Sequence, residues 1–308
     1  MATLTISKEE EKRVKALGFL SNKGTDNFSG RVLTVNGKIT AEQMQCIAEA
    51  ARLYGNGNIT FTTRLTAEVQ GIPYENIPAF REYLTKAGLV TGGTGAKVRP
   101  IVSCKGTTCQ YGLIDTFGLS EKIHRRFFEG YGEVKLPHKF KIAVGGCPNN
   151  CVKPDLNDLG VVGQRIPQFD EERCRGCKKC GVAAACPVEA AAVKDGVLFR
   201  DPQTCNNCGR CLESCYFGAN TGGKQGYKIY LGGRWGKKTA MGRAMKTILF
   251  SEDEVLSLIE KAILLYKEQG QPKERFAQTV ARLGFENVEA MLLSDELLAR
   301  KEDILAAQ

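Results

Sequence analysis

Cysteine residues set the chemistry that this 308-residue chain could carry out. All of its 13 cysteines except Cys46 fall into groups with the short, regular spacing of metal ligands. Two outer pairs have the spacings Cx4C and Cx3C: they are Cys104 with Cys109, and Cys147 with Cys151. In a reducing compartment such groups indicate metal binding rather than disulfides. Cys46, in the middle of a predicted helix, is interpreted as a small buried hydrophobic residue.

Eight further cysteines lie in two longer runs, "CRGCKKCGVAAACP" and "CNNCGRCLESCY". The runs resemble a bacterial two-cluster ferredoxin, in which three close cysteines bind one cluster and the fourth crosses to the other. The resemblance implies one 4Fe-4S cluster on Cys174, Cys177, Cys180 and Cys215, and a second on Cys205, Cys208, Cys211 and Cys186. A pair of zinc ribbons is the alternative, although zinc gives no reason for the third cysteine of each run.

The two outer pairs are interpreted together, because each supplies only two ligands. Jointly they provide the four thiolates of a third 4Fe-4S cluster. Small residues beside them, Gly106, Gly145 and Gly146, would let the backbone approach the inorganic sulfides closely.

The order of these motifs, with "GCPNNC" after the first pair, resembles the siroheme-dependent sulfite and nitrite reductases. The likeness is closest to the ferredoxin-containing catalytic subunit of anaerobic, dissimilatory-type sulfite reductases. It implies that Cys151 binds both the third cluster and the siroheme iron. It also implies that an external one-electron donor, such as a ferredoxin or a flavin/iron-sulfur subunit, feeds three clusters. The implied reaction is the six-electron reduction of sulfite to sulfide.

Four basic residues match the positions from which this family holds its anionic substrate. They are Arg64 in "ITFTTRLTAEVQ", Arg99 in "KVRPIVSC", and Lys139 and Lys141 in "LPHKFKIAV". Reduction of a small oxyanion requires fixed cations that hold the anion and help to deliver protons. Residues two apart in a strand share a face, so Lys139 and Lys141 could point at one anion. Each residue alone is equally well explained as part of a solvated surface.

The resemblance also implies siroheme contacts at nine further positions: Thr62, Thr63, Gln70, Lys105, Thr107, Thr108, Asn149, Asn150 and Arg234. Two departures from the family pattern affect the haem region. The first cysteine pair is Cx4C where Cx5C is more common, which predicts a tighter loop. Leu65 occupies a position where glutamine is usual and removes a hydrogen-bonding group.

Two other functions remain open at this stage. Nitrite reduction to ammonia uses the same cofactors and the same number of electrons, and turnover on both anions would separate the two. A haem-free polyferredoxin would carry electrons only, and its cofactor content would distinguish it.

Composition and charge exclude several classes of protein. Hydrophobic residues make up 43% and charged residues 25% of the chain, as in ordinary globular proteins. The net charge of +9 is more than offset by the eight carboxylates of siroheme and the anionic clusters. No run of five basic residues, apolar run of membrane-spanning length or N-terminal signal pattern is present, so we expect a cytoplasmic protein that binds no nucleic acid. Without a Walker loop or GxGxxG fingerprint, nicotinamide and flavin binding are not expected.

The predicted fold class is α+β: a ferredoxin-like half-domain, then a siroheme/4Fe-4S reductase domain with an inserted two-cluster ferredoxin module. The half-domain is assigned to residues 1–98, the reductase domain to 99–165 and 223–308, and the module to 166–222. Larger family members contain two copies of the reductase half. A homo-oligomer or hetero-oligomer is therefore expected.

Local patterns predict the elements of these domains. Residues 1–27 are predicted to be an N-terminal arm, "GRVLTVNG" a strand, and "NITFTTRLTAEVQ" a single strand. A helix over "TAEQMQCIAEAARLY" should begin with a capping box of Thr40 and Gln43 and end at Gly55. Further helices are expected at "PAFREYLTKAG", "LSEKIHRRFFEGYG" and along the tail from Ser251, with strands at "HKFKIAVGG" and "YKIYLGG".

Overall fold

The computed structural model describes residues 6–307. The helices in this range are α1 Lys8–Ala16, α2 Ala41–Tyr54, α3 Ile77–Thr85, α4 Thr116–Ile123, α5 Gly181–Ala184, α6 Glu252–Gln269, α7 Phe276–Leu283, α8 Phe285–Leu293, α9 Glu296–Ala299 and α10 Lys301–Ala306. The strands are β1 Phe19–Ser21, β2 Asn27–Val32, β3 Ile59–Phe61, β4 Ala67–Pro73, β5 Val102–Ser103, β6 Ile142–Gly145, β7 Leu159–Phe169, β8 Ala191–Lys194, β9 Val197–Arg200, β10 Asn220–Leu231 and β11 Arg243–Leu249.

The chain folds into two compact units. Unit 1 comprises the described parts of Met1–Ser103, Gly118–Ala143 and Glu260–Gln308, and unit 2 comprises Cys104–Phe117 and Val144–Ile259. Within the described residues no helix has both the length and the apolar character needed to cross a membrane. The mixture of helices and largely antiparallel sheets confirms the α+β prediction.

The first part of unit 1 is a four-stranded sheet covered by helices. The strand order is β1-β2-β4-β3, with antiparallel pairing. The predicted capping box of α2 is present: Gln43 N–H donates to Thr40 Oγ1 at 3.2 Å, and Thr40 N–H donates to Gln43 Oε1 at 3.0 Å. The helix ends at Gly55, as predicted. Apolar side chains of α2 and α3, including Ile47 and Phe80, form one core with the sheet.

The predicted N-terminal arm is wrong within the described residues. Residues 1–5 lie outside that range, but the residues after them form α1 and β1. The Ser7 side chain accepts from Glu10 N–H to cap α1, and Val14 is fully buried in the core of the sheet. A buried valine and the pairing of β1 with β2 make this segment part of the half-domain.

The prediction of one strand over residues 58–70 is also wrong, because a tight turn divides it into β3 and β4. Thr62 N–H donates to Thr66 O and Leu65 N–H donates to Thr62 O, both at 2.9 Å. Leu65 has a φ of 60°, a left-handed conformation that leucine seldom adopts. Its side chain packs over Gly37, where an added Cβ would lie 2.9 Å from the leucine Cβ. The Thr62 hydroxyl also accepts from Arg64 N–H at 3.2 Å, so local hydrogen bonds close the turn that divides the predicted strand.

A second sheet has the strand order β11-β10-β7-β6-β5. Its long antiparallel pair, β7 with β10, begins where Phe169 faces Asn220. Residues 170–219 therefore leave the sheet at the end of β7 and return to it at the start of β10. They contain α5 and a small hairpin of β8 and β9. The predicted strand at "HKFKIAVGG" begins later than expected, at Ile142, and Phe140 before it forms an isolated bridge with Val98.

The tail of the chain from Ser251 is helical, as predicted. The capping box at the start of α6 is present: Glu254 N–H donates to Ser251 Oγ at 3.2 Å, and Ser251 N–H donates to Glu254 Oε2 at 3.0 Å. Gly284, with a φ of 84°, separates α7 from α8. The predicted helix after Leu119 continues beyond α4 as a π-helix, His124–Glu129.

Candidate functional site

The two outer cysteine pairs come together in unit 2. Burial raises the pKa of the Cys147 thiol, and the nearby thiols of Cys104, Cys151 and Cys109 raise it further by repulsion of the thiolate. Three other thiols therefore lie close enough to Cys147 to act on its charge.

Two glycines allow the loops of these pairs to approach each other. A Cβ on Gly106 would lie 2.9 Å from the Cα of Gly146, and a Cβ on Gly146 would lie 2.8 Å from the Cα of Gly106. Neither position has room for a side chain. The close approach lets Gly146 N–H donate to Cys104 Sγ at 3.1 Å. Gly106 and Gly146 thus approach each other's backbone, whereas Gly145 packs against Pro154. The predicted approach of these glycines to inorganic sulfides stays a prediction.

The loop between Cys104 and Cys109 is a short 3-10 turn, Gly106–Thr108. Lys105, Thr107 and Thr108 are exposed on it. The Thr107 hydroxyl donates to Asp115 Oδ1 at 2.6 Å and accepts from Phe117 N–H at 2.9 Å, so Thr107 also closes the loop. Lys105 contributes an exposed cation next to Cys104.

Of the four cysteines in the two outer pairs, Cys151 at the end of the second loop is the most exposed to solvent. Cys151 is exposed, whereas Cys104, Cys109 and Cys147 are half-buried. Asn149 is exposed, and Asn150 adopts a left-handed φ of 57° while its side chain donates to Asp155 at 3.0 Å. Cys151, whose thiol is predicted to bind both the cluster and the siroheme iron, is thus the exposed cysteine among these four.

The second ferredoxin-like ligand set lines one cavity. Four cysteines, which come from both sequence runs, line one small pocket that is partly open to solvent: Cys186, Cys205, Cys208 and Cys211. Cys186 belongs to the first run, so the chain crosses between runs in the way the ferredoxin resemblance implies. Asn220 donates from Nδ2 to the Cys211 carbonyl at 2.7 Å and fixes this loop to β10.

The other set surrounds a small apolar core. Val182, Ala191 and Leu198 form that core, and three members of the set, Cys174, Cys180 and Cys215, pack against it. Cys186 and Cys211 of the neighbouring set also contact the same core. Cys177, the fourth member, is half-buried on the loop between Cys174 and Cys180.

Each of the three cysteine groups receives a backbone hydrogen bond to sulfur. Besides the bond to Cys104, Ala190 N–H donates to Cys186 Sγ at 3.2 Å and Leu198 N–H donates to Cys174 Sγ at 3.4 Å. Such bonds favour the thiolate and tune cluster potentials. Among residues 6–307, no three His, Cys, Asp or Glu side chains converge as the ligands of a single metal ion do.

Three of the predicted basic residues lie next to one isolated bridge in unit 1. Val98 and Phe140 form a parallel bridge, with Arg99 N–H donating to Phe140 O at 2.8 Å. Both bridge residues are buried, at 5% and 0% exposure. Because neighbouring side chains in extended chain alternate between faces, we infer that Arg99 and Lys141 project to the side opposite Val98 and Phe140. We call Arg99, Lys141 and the adjacent Lys139 the cation face.

Arg64 joins the two segments that carry the cation face. From the β3–β4 turn its Nε donates to Pro100 O at 2.8 Å, and its Nη2 donates to Ile142 O at 2.8 Å. Pro100 and Ile142 directly follow Arg99 and Lys141. The structure therefore brings Arg64 to the two segments that carry Arg99 and Lys141 and gives it a structural contact there.

The cation face carries charge that is poorly hydrated. Burial lowers the pKa of Arg99 to about 10, and the charges of Arg31 and Arg275 contribute to the shift. Within the described residues the buried Nε atom of Arg99 has no hydrogen-bond partner. Burial, then the charges of Arg275, Lys139 and Arg99, lower the pKa of His138. A bound anion would lower the free-energy cost of burying the charge of Arg99, and it could accept a hydrogen bond from the Arg99 Nε atom.

The remaining predicted contacts are more dispersed. Thr62 and Thr63 lie in the Arg64 turn, where the Thr62 and Thr66 hydroxyls are 2.6 Å apart. Gln70 lies further along β4, outside the turn. In unit 2, Arg234 follows β10, and its buried Nε atom has no hydrogen-bond partner within the described residues.

Sequence reasoning missed several residues that the structure places at these sites. Arg275 is distant in sequence and acts on both Arg99 and His138. Asn220, Ala190 and Leu198 position the cysteine loops through the bonds given above. These residues act through hydrogen bonds that involve backbone atoms. Such bonds do not require a particular sequence motif, so no pattern in the sequence could have identified them.

Two family models match the chain. Residues 94–300 match the nitrite and sulphite reductase 4Fe-4S domain, and residues 21–87 match the nitrite/sulfite reductase ferredoxin-like half domain. Among solved structures, dissimilatory sulfite reductase I has a similar fold, with a TM-score of 0.68 at 22% identity. That alignment covers 86% of this chain and 68% of the other.

Curated relatives include enzymes that are longer than this chain. The coenzyme F420-dependent sulfite reductase of Methanocaldococcus jannaschii is 34% identical over 247 residues, which are 79% of this chain and 38% of that protein. An anaerobic sulfite reductase subunit of Salmonella typhimurium is 32% identical over 188 residues, 54% of this chain and 52% of that protein. This chain thus spans about half or less of these two relatives. The match over residues 94–300 nevertheless covers most of the chain, which therefore belongs to the nitrite and sulfite reductase 4Fe-4S domain family.

Proposed function

We propose that the chain is a siroheme-dependent sulfite reductase that reduces sulfite to sulfide. The observation that carries the proposal is the cation face. A haem-free electron carrier has no need for three basic residues beside one bridge, one of them an arginine whose pKa falls to about 10. An enzyme that binds a small dianion needs such a face. The named sulfite reductases among the relatives favour sulfite over nitrite as the substrate.

The residues present fit the cofactors that this function requires. The buried Nε atoms of Arg99 and Arg234, which lack hydrogen-bond partners within residues 6–307, suit the carboxylates of siroheme or a bound oxyanion. Thr62, Thr63, Gln70, Lys105, Thr107, Thr108, Asn149 and Asn150 are proposed as further siroheme contacts. When bound, the clusters would carry single electrons, and siroheme would supply the iron at which the anion is reduced.

Three cysteine sets would hold three 4Fe-4S clusters. The proposed sets are Cys104, Cys109, Cys147 and Cys151; Cys174, Cys177, Cys180 and Cys215; and Cys186, Cys205, Cys208 and Cys211. The exposed position of Cys151 suits a thiolate shared with the siroheme iron. The proposed domains are residues 1–98, 99–165 with 223–308, and the inserted module 166–222.

The protein side chains would act on charge and protons. Arg99, Lys139 and Lys141 would hold the substrate anion and offset negative charge as its oxygens leave as water. The lysine ammonium groups would donate protons to those oxygens. Arg64 would keep Pro100 and Ile142, and with them Arg99 and Lys141, at a fixed separation. An external one-electron donor completes the proposed system, and homo- or hetero-oligomers are compatible with it.

The direct test is anaerobic turnover with a chemically reduced viologen dye as the electron donor. We expect sulfide from sulfite, with a higher kcat/KM for sulfite than for nitrite. Faster ammonia formation from nitrite would reassign the substrate. A cofactor-loaded protein that reduces neither anion would refute the reductase proposal and support the electron carrier.

A further inference from the structure

Two cysteine loops of unit 2 lie over the same face of β7. An added Cβ on Gly163 would lie 2.5 Å from the carbonyl oxygen of Gly146, the residue before Cys147. Two positions further along the strand, the Cβ of Arg165 lies 2.8 Å from where a Cβ on Gly209 would be. Residues two apart in a strand share a face and are separated by roughly 7 Å. The loop that begins at Cys147 and the loop that contains Gly209 are therefore neighbours on β7.

Backbone hydrogen bonds fix both loops in this arrangement. Arg165 N–H donates to Asn207 O at 2.8 Å, and Arg165 forms a parallel bridge with Cys208. Leu113 N–H donates to Gly146 O at 2.9 Å, which ties the segment after the first outer pair to the loop of the second pair. The loops of both outer pairs and the loop of Cys208 thus belong to one packed region around β7.

A cation–π contact also joins this region. The guanidinium carbon of Arg210 lies 4.5 Å from the centroid of the Tyr111 ring. Tyr111 follows Cys109 by two residues, and Arg210 lies between Cys208 and Cys211. Both residues are exposed, so burial alone does not hold them together. The contact links a ligand loop of the outer pairs directly to a ligand loop of the ferredoxin-like module.

The ligand set that includes Cys208 contacts both of the other sets. We call it the middle set, and its members are Cys186, Cys205, Cys208 and Cys211. The remaining set is Cys174, Cys177, Cys180 and Cys215. Two members of the middle set pack on the apolar core of Val182, Ala191 and Leu198, against which three cysteines of the remaining set also pack. Through Cys208 and Arg210, the middle set also reaches the region that holds the outer pairs.

We propose that the middle set passes electrons to the outer pairs and that Tyr111 is a positioning residue for this transfer. The inference rests on the proposed function for the presence of the clusters. One electron leaves a reduced cluster on the middle set, which is oxidised, and enters an oxidised cluster on the outer pairs, which is reduced. No bond forms or breaks, and the external one-electron donor supplies the electron. Because the rate of such a transfer falls steeply with distance, Tyr111 would act by holding its loop against Arg210.

The first experiment measures magnetic coupling between reduced clusters by electron paramagnetic resonance. Two paramagnetic clusters that lie close together broaden or split each other's signals. Cys208→Ala removes a ligand of the middle set, and the matched variant Cys177→Ala removes the corresponding ligand of the remaining set. The signal of the outer-pair cluster should lose its coupling in Cys208→Ala and keep it in Cys177→Ala. Coupling that survives in Cys208→Ala and disappears in Cys177→Ala would overturn the proposed order.

The second experiment tests Tyr111 without any change of a ligand. Tyr111→Leu removes the aromatic face, whereas the control Tyr111→Phe keeps it. Loss of one exposed cation–π contact should raise the open population of the loop about two- to fivefold. Hydrogen–deuterium exchange of a peptide that contains Leu113 should accelerate by that factor in Tyr111→Leu. The coupling to the outer-pair cluster should weaken while the iron content stays complete.

Tyr111→Phe should match the wild type in exchange and in coupling. Equal exchange and equal coupling in Tyr111→Leu and the wild type would overturn the positioning role. A wild type that contains three clusters but no siroheme would refute the proposed function, and both experiments would still test the transfer between the middle set and the outer pairs. A wild type that holds no iron would refute both proposals.

Discussion

Replacement of Gly146 by alanine should remove one cluster and leave the other two in place. The new methyl group would lie 2.8 Å from the Cα of Gly106 and 3.2 Å from the Thr116 Cγ2 atom. The first of these contacts is with backbone, which cannot rotate away. The two loops must separate by roughly half an ångström to reach ordinary contact distance. That movement would weaken the bond from Gly146 N–H to Cys104 Sγ, now 3.1 Å.

The expected decrease in the free energy of unfolding comes from the steric overlap and from the weakened hydrogen bond. Overpacking of this kind costs about 1–3 kcal/mol, and a weakened hydrogen bond adds about 1 kcal/mol. The melting temperature should therefore fall by about 5–10 °C. Three 4Fe-4S clusters contain about twelve iron atoms per chain, so loss of the cluster on the outer pairs should leave about eight.

The assay is iron and sulfide content with the visible spectrum, measured on protein purified without oxygen. Gly88→Ala is the control, because Gly88 has a φ of 65° with open space around it. It should destabilise the protein by about 1–2 kcal/mol through backbone strain and yet retain all of its iron. Full iron content in Gly146→Ala, equal to that of Gly88→Ala, would refute the claim that close loop approach assembles the cluster.

Three further changes test other parts of the account. Lys141→Ala should retain iron and siroheme but lower kcat/KM for sulfite about 100- to 1000-fold, because a charge that stabilises the reacting anion is lost; loss of siroheme instead would assign Lys141 a structural role. Arg64→Lys keeps the charge but cannot reproduce both 2.8 Å bonds to Pro100 and Ile142, so thermal unfolding should show a loss of about 1–3 kcal/mol; an unchanged melting temperature would contradict the bridging role. The folded state lowers the pKa of His138 below its ordinary value of 6.5, so the unfolded chain binds more protons and stability should fall as pH drops below about 6.5. His138→Gln should reduce this loss between pH 7.5 and pH 5 in urea unfolding, and identical pH profiles for both proteins would show that the shift has no effect on stability.

Sequence patterns correctly predicted those features that depend on residues only a few positions apart. The capping boxes of α2 and α6 depend on side chains three residues apart, and both are present in the structure. The ferredoxin resemblance predicted that Cys186 binds a cluster with Cys205, Cys208 and Cys211; these four side chains line one pocket, and the cluster stays a prediction. Spacing is informative in these cases because the chain itself fixes the geometry.

Features that depend on distant contacts could not be predicted in this way. The turn at Leu65 contains no glycine, proline or asparagine, and Leu65 packs there on Gly37, which is distant in sequence. The position of Arg275 depends on ring packing between Phe276 and Phe140, which are 136 residues apart in numbering and carry no shared motif. Arg64 was predicted as a substrate ligand, and its two backbone bonds became visible only in the folded chain.

The measurement that tests the central claim most directly is pigment extraction, with a visible spectrum, from protein purified without oxygen after expression in a host that makes siroheme. The account predicts about one siroheme and about thirteen iron atoms per chain, of which about twelve are in the clusters and one is in the siroheme. Iron-sulfur clusters without siroheme would contradict it, because the cation face of Arg99, Lys139 and Lys141 would then have no reaction to support.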